Sequence, residues 1–552
     1  MAATDAYDVV VVGGGPCGLA AAVAMSRVLP AGTKLTVLEA TPRMAPQGAA
    51  VGLFHNGIAA LEALSPGLVH RLLHGSVLFN AWRDYDDVSG EPLPASMNWD
   101  RGAQIESTGY TPCHVQWSEL RRSLYDMLPQ GTVQLGTKVL RCSRLDSGLF
   151  ELEAETEAAG EGGGKRRATV LARHVVAADG YFSRTRRTAG DGRSPTFRQR
   201  VRWFGSITQA ELAAASIPLP ACLDPKQSPG AEGAVHRWFP GDQPYMDVQA
   251  APRGFVFYPI SLPHTSPGGS RMVWSFYANL PILEAAGLQF PPPAPKGEEG
   301  EGELRTSLQG ARRSGGDSLR RALTTAESFG LPPGVRAIAA ATPPERVSEL
   351  GMYSHNQDAI ALGAWANGGL VFVGDAAHSG GPDGQGANLA LEDGAALGAA
   401  VRKHGLSPEA FAAWEAERVP RILDLMYNKD IPFPAKMRIA MSYAPEPLWT
   451  PAHVLDEQAQ GAEGTRPLPP DLEARARQAA GALSGEELAA LMSDIRAWGR
   501  AGLRDIVTAK AVAAGVLKPS GSAPAESGST GSGTASTDAQ APAAAATAVA
   551  RP

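Results

Sequence analysis

Near its start the chain reads Asp8-Val-Val-Val-Val-Gly13-Gly14-Gly15-Pro16-Cys17-Gly18 and runs straight on into the Ala-rich stretch 19–29. A run of apolar β-branched residues is read as a buried strand, and the helical spacing of small and apolar residues after the glycines as a helix packed on it. The spacing G-x-G-x-x-G gives each glycine a task. Gly13 permits the tight turn, Gly15 lets the backbone approach a pyrophosphate, and Gly18 lets helix and strand pack closely. Pro16 and Cys17 then lie at the helix start, whose amides and dipole favour an anion. A second strand, 33–40, carries Glu39, 21 residues after Gly18, where an acid is expected to accept the hydroxyls of an adenosine ribose.

Two later stretches share this texture. Val175-Val-Ala-Ala-Asp179-Gly180 ends a strand in an Asp-Gly turn, followed by Arg184 and Arg186; on its own it is equally an ordinary strand terminus. Residues 369–393 contain Gly374-Asp375-Ala-Ala-His378 and Pro382-Asp-Gly384-Gln-Gly386-Ala387-Asn388. They read as a strand, a polar loop and a helix start. Asp375 at the strand end can hold a sugar hydroxyl. Gly384, Gly386 and Asn388 place amides and a helix N-terminus where an anion or an electron-rich ring could rest. Asp375 and His378 alone are too few for a metal site, so none is expected.

The rest of the chain sets limits. At 552 residues it allows several domains, and 50 Lys+Arg against 56 Asp+Glu, a net charge of −6, argue against a nucleic-acid partner. Four cysteines, Cys17, Cys113, Cys142 and Cys222, lack disulfide or zinc spacing. The most apolar stretch, 9–29, is interrupted by Gly13–Gly18, so no transmembrane segment is expected; with Asp5 and Asp8 and no Lys or Arg before it, no signal peptide is either, and a cytoplasmic location follows. Residues 8–62, 168–190 and 366–425 have the βαβ texture of a parallel sheet, whereas 198–280 hold short aromatic and β-branched runs between Gly and Pro, as an antiparallel or mixed sheet requires. The Gly and Pro excess, 62 and 44 residues, gathers at 158–165, 290–317 and 518–552, read as a hairpin link, a flexible insert and a disordered tail. Two amphipathic helices are expected beyond residue 465, the second opened by a capping box of Ser484 and Glu487.

The three glycine-rich motifs in this order resemble those of the class A flavoprotein monooxygenases, the para-hydroxybenzoate hydroxylase group, and Arg43, the segment 48–64 and the helix 407–421 agree. The resemblance implies a Rossmann-like α/β FAD-binding domain (1–80, 105–190, 345–430) interleaved with a mixed or antiparallel β-sheet substrate domain (81–104, 191–344), then C-terminal helices (431–517). It implies FAD held by Gly13, Gly15, Pro16, Cys17, Gly18, Glu39 and Arg43 at the ADP half, with Asp179 and Gly180 serving both the pyrophosphate and NAD(P)H. Gly374 and Asp375 would hold the ribityl chain, and Pro382, Gly384, Gly386, Ala387 and Asn388 would face the isoalloxazine. Trp117 stands where the family often has Arg, leaving Gln116 or Arg121 to contact the flavin.

The activity implied is reduction by NADH or NADPH, addition of O2 at C4a, and transfer of one oxygen atom from the hydroperoxide to a small, aromatic substrate. His55 is a candidate acid or base, and Trp203, Trp238, Phe257 and Trp274 are candidate substrate contacts within an aromatic set that also includes Phe204, Tyr258 and Tyr277. An isoprenoid epoxidase, a reductase that does not activate oxygen, and a flavin-containing scaffold are the alternatives.

Overall fold

The computed structural model describes residues 6–44, 50–78, 81–94, 105, 111–157, 165–241, 251–260, 271–290, 312–380, 384–428, 430–431, 433–460, 466–482 and 484–513. All belong to one unit, residues 1–517. The expected hairpin link, most of the insert, the tail at 518–552 and Pro382 lie outside the described residues.

The valine run forms β1 (Tyr7–Val12), wholly buried from Val9 onward. Among the described residues it lies in an eight-stranded sheet, flanked in parallel by β2 (Leu35–Leu38) and β10 (Lys165–Ala177), with β18 (Leu370–Phe372) parallel beyond β10. All three glycine motifs therefore leave the sheet at neighbouring strand ends, the place where open α/β sheets bind ligands. The sheet is completed by β7 (Val133–Gln134) beside β2, the meander β8 (Thr137–Arg144) and β9 (Phe150–Glu157) on β10, and β17 (Ala366–Asn367) at the far edge.

Helix α1 (Pro16–Val28) covers β1 and crosses a long helix of the third motif, Gly386–His404. The crossing is close because residues at the contact are small: a Cβ on Gly394 would strike Ala20, and one on Gly398 would strike Ala24. Helices α2 (His55–Leu64) and α3 (Pro66–His74) follow a small sheet of β3 (Ala50–Leu53), β4 (Val77–Leu78) and β6 (Cys113–Gln116), which runs into α4 (Trp117–Tyr125).

The second sheet has the order β15-β16-β11-β14-β13-β12-β5. Its strands are β5 (Ala81–Asp86), β11 (Thr196–Thr208), β12 (Ala234–Phe239), β13 (Arg253–Pro259), β14 (Arg271–Asn279), β15 (Arg312–Ser314) and β16 (Ser348–Ser354). It is antiparallel except for β12 beside β5. Two boundaries are corrected. β16 belongs to this sheet, so 345 is too early for the return of the chain to the first, and β15 is ordered within the segment expected to be an insert up to 317. Polar, short strands such as Arg312–Ser314 carry no apolar alternation to announce them.

One face of the second sheet is covered by α6 (Gly316–Ser328) and α7 (Pro333–Ala340), and this face holds the aromatic core. At the C-terminus, α11 (Pro451–Ala459), α12 (Pro470–Ala482) and α13 (Gly485–Ala513) pack on one another around Trp449, Leu472 and Trp498. The Ser484–Glu487 capping box is present, and Lys510 on α13 donates to the carbonyls of His74 and Ser76 at the end of α3.

Candidate active site

Gly13 has φ +103° and a Cβ there would run into the Ala178 carbonyl; one on Gly18 would run into the Gly13 carbonyl. Both positions thus accept only glycine for reasons of packing. Gly15 is different. A Cβ there would meet nothing within 4 Å, and α1 starts from it without a side-chain cap and without an acid in its first turn. An uncapped helix N-terminus beside open space, with Pro16 at its first position, fits a phosphate, whose charge and oxygens complete the unsatisfied amides.

Glu39, buried at the end of β2, accepts from the Gly14 amide at 2.5 Å and from the Thr41 amide and hydroxyl at 2.7 Å. Arg121, 3 % exposed on α4, donates through Nε to the Gly14 carbonyl at 2.6 Å, reaches Thr41 Oγ1 at 2.9 Å and pairs with Glu39 at 3.3 Å. Of the two residues proposed to replace the missing family arginine, Arg121 is the one clasping the glycine loop. Gln116 ends β6 opposite Ala50, and Arg43 is exposed just beyond β2.

Asp179 is turned inward. Its carboxylate accepts from Ser183 Oγ at 2.5 Å and from the Thr185 amide and hydroxyl at 3.0 Å, capping the helix α5 (Arg184–Ala189), and Gly180 supplies the turn at φ +81°. Arg186, 1 % exposed, then donates to the carbonyls of Ala376 and Ala377 at 2.8 and 2.9 Å. The second motif is thereby tied to the third at the end of a short helix α8 (Asp375–His378).

Gly374, at φ +58°, approaches Cys17 so closely that a Cβ would lie 3.0 Å from its sulfur. This joins the first motif to the third. Burial pushes the Asp375 carboxyl up to about 6, with the Asp393 charge adding to the effect and His378 opposing it. A half-buried carboxylate left this costly is a natural acceptor for sugar hydroxyls.

Helix α9 (Gly386–His404) begins at Gln385 without a side-chain cap or an early acid, just after Gly384 at φ +80°. It is therefore, among the described residues, a second N-terminus without a side-chain cap. Gly386 is exposed, Ala387 half-buried, and Asn388 is buried with its amide spent on the chain itself: Oδ1 accepts from the Phe54 amide at 2.9 Å and Nδ2 donates to the carbonyls of Gly52 and Gly384 at 2.9 and 3.0 Å. His55 is buried at the start of α2, while its neighbour Asn56 makes the link to α9, donating to Gln385 at 3.0 Å and Glu392 at 2.6 Å.

Sequence reasoning missed the buried charges that hold α9. Arg418, on α10 (Pro408–Ile422) and fully buried, binds Asp393 at 2.8 Å and Glu392 at 2.7 Å, and Arg421 adds two bonds to Glu392. Asp393 also accepts from the Gly374 amide at 2.8 Å and lies 2.6 Å from His378 Nε2. Burial raises both acids, but the surrounding cations outweigh it and hold them below their ordinary values. Adjacent acids in an otherwise Ala- and Leu-rich helix were the available signal, since charges in a buried stretch need partners.

The substrate contacts are a correction. Trp203, Trp238, Phe257 and Trp274 are at most 3 % exposed and all lie in the core under α6 and α7, where Trp274 Nε1 donates to Thr342 and Trp203 stacks on Phe276. The strand period of two sends their neighbours the other way. Arg202, Phe204, Ser275 and Tyr258 occupy the open face, and the Tyr258 ring packs 4.9 Å from that of His114 on β6.

Fold and site together define an FAD-binding α/β protein, with two helix N-termini that carry no side-chain cap and the half-buried acid Asp375. Residues 6–226 match the family model described as FAD binding domain. Over 420 residues the chain is 27 % identical to the FAD-dependent urate hydroxylase of Klebsiella pneumoniae, covering 76 % of this chain and 87 % of that protein. Over 421 residues it is 26 % identical to the 3-amino-4-hydroxybenzoate 2-monooxygenase of Streptomyces cremeus, covering 76 % and 84 %. The crystal structure of CtdE in complex with FAD and a substrate shares the fold, with TM-score 0.55 at 16 % identity over 82 % of this chain and 98 % of that one. The chain thus carries an FAD-binding domain, is homologous to FAD-dependent hydroxylases of the class A flavin monooxygenase type, and is an FAD-dependent oxidoreductase. No helix among the described residues is long and apolar enough to cross a membrane.

Proposed function

We propose that this monooxygenase uses NADH or NADPH and O2 to hydroxylate a small aromatic or heteroaromatic compound, held between the open face of the second sheet and the start of α9. The observation that carries the reading is the convergence of Gly15, Asp375 and the uncapped start of α9 within one constellation tied by Cys17–Gly374 and Asn388–Phe54. The relatives that act on urate and on an aminohydroxybenzoate favour a planar, electron-rich substrate.

When bound, FAD supplies the redox and oxygen chemistry, and the protein supplies position and electrostatics. On this reading the amides of α1 hold the pyrophosphate, Glu39 the adenosine ribose and Asp375 the ribityl hydroxyls. Arg121 keeps the glycine loop and Glu39 in register. The positive end of α9 would stabilise negative charge on the bound flavin, and the helix is fixed by Arg418 through Glu392 and Asp393. The residues 1–80, 105–190 and 355–430 make up the cofactor domain in this proposal.

The test is NADH and NADPH oxidation by the yellow protein in air, with the flavin spectrum followed while phenols, hydroxybenzoates, purines and terpenoids are added. Slow oxidation accelerated by one aromatic class, with a hydroxylated product, is the expected result. A flavin that neither nucleotide reduces overturns the reading, and stimulation by terpenoids alone with an epoxide product replaces it by an epoxidase.

A further inference from the structure

Among the described residues the chain makes one turn of π-helix, Leu423–Tyr427, directly after α10, and the Asn428 amide there reaches back five residues to the Leu423 carbonyl at 2.8 Å. Pro420 in the last turn of α10 has no amide to give to the helical ladder, and the wider turn follows it. A π-turn is rare, is frequent at functional sites, and re-aims the side chains beyond it.

The re-aimed side chains meet the third glycine motif. The Tyr427 hydroxyl donates to the Ser379 carbonyl at 3.0 Å. A Cβ on Gly380 would overlap the Met426 methyl group and lie 3.0 Å from its sulfur, so any side chain at 380 must displace Met426. From the other side His355, just beyond β16, exchanges two bonds with Ser379: the His355 amide donates to the same carbonyl at 2.9 Å, and the Ser379 amide donates to His355 Nδ1 at 3.1 Å. Burial and the neighbouring Arg186 push the imidazole of His355 down to about 3, so this acceptor stays neutral. Arg186 meanwhile holds the carbonyls of Ala376 and Ala377. The four-residue helix α8, with Asp375 at its head, is therefore gripped at its far end by side chains of three other elements. So short a helix has too few internal bonds to keep its own direction, and the grip decides where Asp375 points.

We propose that Tyr427 is a positioning residue for the cofactor: with His355 and Met426 it clamps Ser379 and Gly380, fixes Asp375 relative to the start of α9, and so sets the reduction potential of the bound flavin. The inference rests on the reading that Asp375 holds the ribityl chain with the ring against the start of α9. Its link to the potential is electrostatic. Reduction puts negative charge on the ring, and the positive end of α9 favours the reduced form only as far as the ring is held close to it. Loosening α8 lets the ring stand off, and the reduced form loses more than the oxidised form does.

The test uses the full chain carrying FAD and reads the midpoint potential by equilibration with a reference dye in the absence of oxygen, with the melting temperature measured beside it. Tyr427→Phe removes one oxygen atom and is expected to weaken the preference for reduced over oxidised flavin about tenfold, a fall of about 30 mV for a two-electron couple. Gly380→Ala should lower the potential as well, and adding Met426→Ala to it should bring the potential back toward that of Met426→Ala alone, because the methyl group then has room. Variants that melt lower but keep the wild-type potential overturn the proposal and leave the clamp a matter of packing; a potential that rises, or a Gly380→Ala effect that Met426→Ala does not relieve, overturns it too. Should Gly380→Ala fail to hold FAD, Tyr427→Phe decides. Gly386→Asp separates the inference from the reading beneath it: a carboxylate at the start of α9 lowers the potential wherever the ring lies against that helix. If Gly386→Asp leaves the potential unchanged, the placement of the ring falls and the clamp with it; if Gly386→Asp lowers it and Tyr427→Phe does not, the clamp alone falls.

Discussion

Asn388 Oδ1 accepts a hydrogen bond from the Phe54 amide at 2.9 Å, joining residues 334 apart in the chain. With Nδ2 serving Gly52 and Gly384, one side chain holds the start of α9, the start of α2 and strand β3 together. Its replacement by leucine leaves a buried amide and two carbonyls without their partner, a loss of about 3 kcal/mol. The expected outcome for Asn388→Leu is a lowered denaturant midpoint already in the FAD-free protein. An unchanged midpoint with lost FAD would make Asn388 a cofactor contact only.

Arg121 governs the other end of the site. Because its Nε and Nη2 fix Gly14 and Thr41, and its charge meets Glu39, Arg121→Met should release the glycine loop and weaken FAD by about tenfold to a hundredfold. Measured by flavin fluorescence on reconstitution, an unaltered dissociation constant would contradict the role. Arg121→Lys keeps the charge but not the forked geometry and should recover only part of the affinity.

Asp375 gives a pH dependence whose sign can be fixed. Burial raises its folded value to about 6, above the ordinary carboxyl value, so the folded state holds the proton more tightly. The associated stability is present below about pH 4 and is lost as pH rises through 6. In FAD-free protein, Asp375→Asn is therefore expected to raise the melting temperature at pH 7.5, by the equivalent of about 2 kcal/mol, with the gain vanishing near pH 4. The same variant should hold FAD poorly at pH 7.5. A variant that is no more stable, or that purifies with full flavin, would contradict the assignment.

The two faces of the second sheet predict opposite outcomes. Trp203→Leu and Trp274→Leu should each destabilise the protein by about 3 kcal/mol, through the cavity left under α6 and α7, without changing the dissociation constant of a bound substrate. Phe204→Ala on the open face should alter that constant with a smaller loss of stability. Thermal melts alongside ligand titrations separate the two, and a Trp274 variant that loses substrate but not stability would reverse the faces.

This reversal shows where sequence reading ends. The valine run of β1 and the glycines at 13 and 18 were legible because a parallel strand buried on both sides, and a turn that admits no Cβ, each leave a local mark. The aromatic runs of β11, β13 and β14 marked a sheet equally well. Period-two alternation makes Trp203 and Phe204 equivalent until the helices that cover one side are known, and those helices lie more than a hundred residues downstream. Asp179 was undecidable for a related reason: an Asp-Gly strand end caps a following helix or binds a ligand with the same residues, and here Ser183 and Thr185 took the carboxylate. Arg418 was invisible because its partners are acids on another helix, a pairing that no spacing encodes.

Arg418 also carries the sharpest prediction about how the site is held. It is fully buried between Glu392 and Asp393, so Arg418→Met exposes two acids to a dry interior with only Arg421, His378 and neutral donors left to answer them. A loss of 3–5 kcal/mol is typical when one partner of a buried charge group is removed, and about that much is expected here. Removing the charges together is different: in Arg418→Met with Glu392→Gln and Asp393→Asn no uncompensated acid remains, and most of the stability should return. FAD affinity should not return with it, because the Gly374 amide and His378 lose the carboxylate that orients the turn before Asp375. Melting temperature and flavin affinity therefore part company in the triple variant. If both recover, the cluster is packing alone; if the single variant melts like wild type, the charges are not what holds α9 in place.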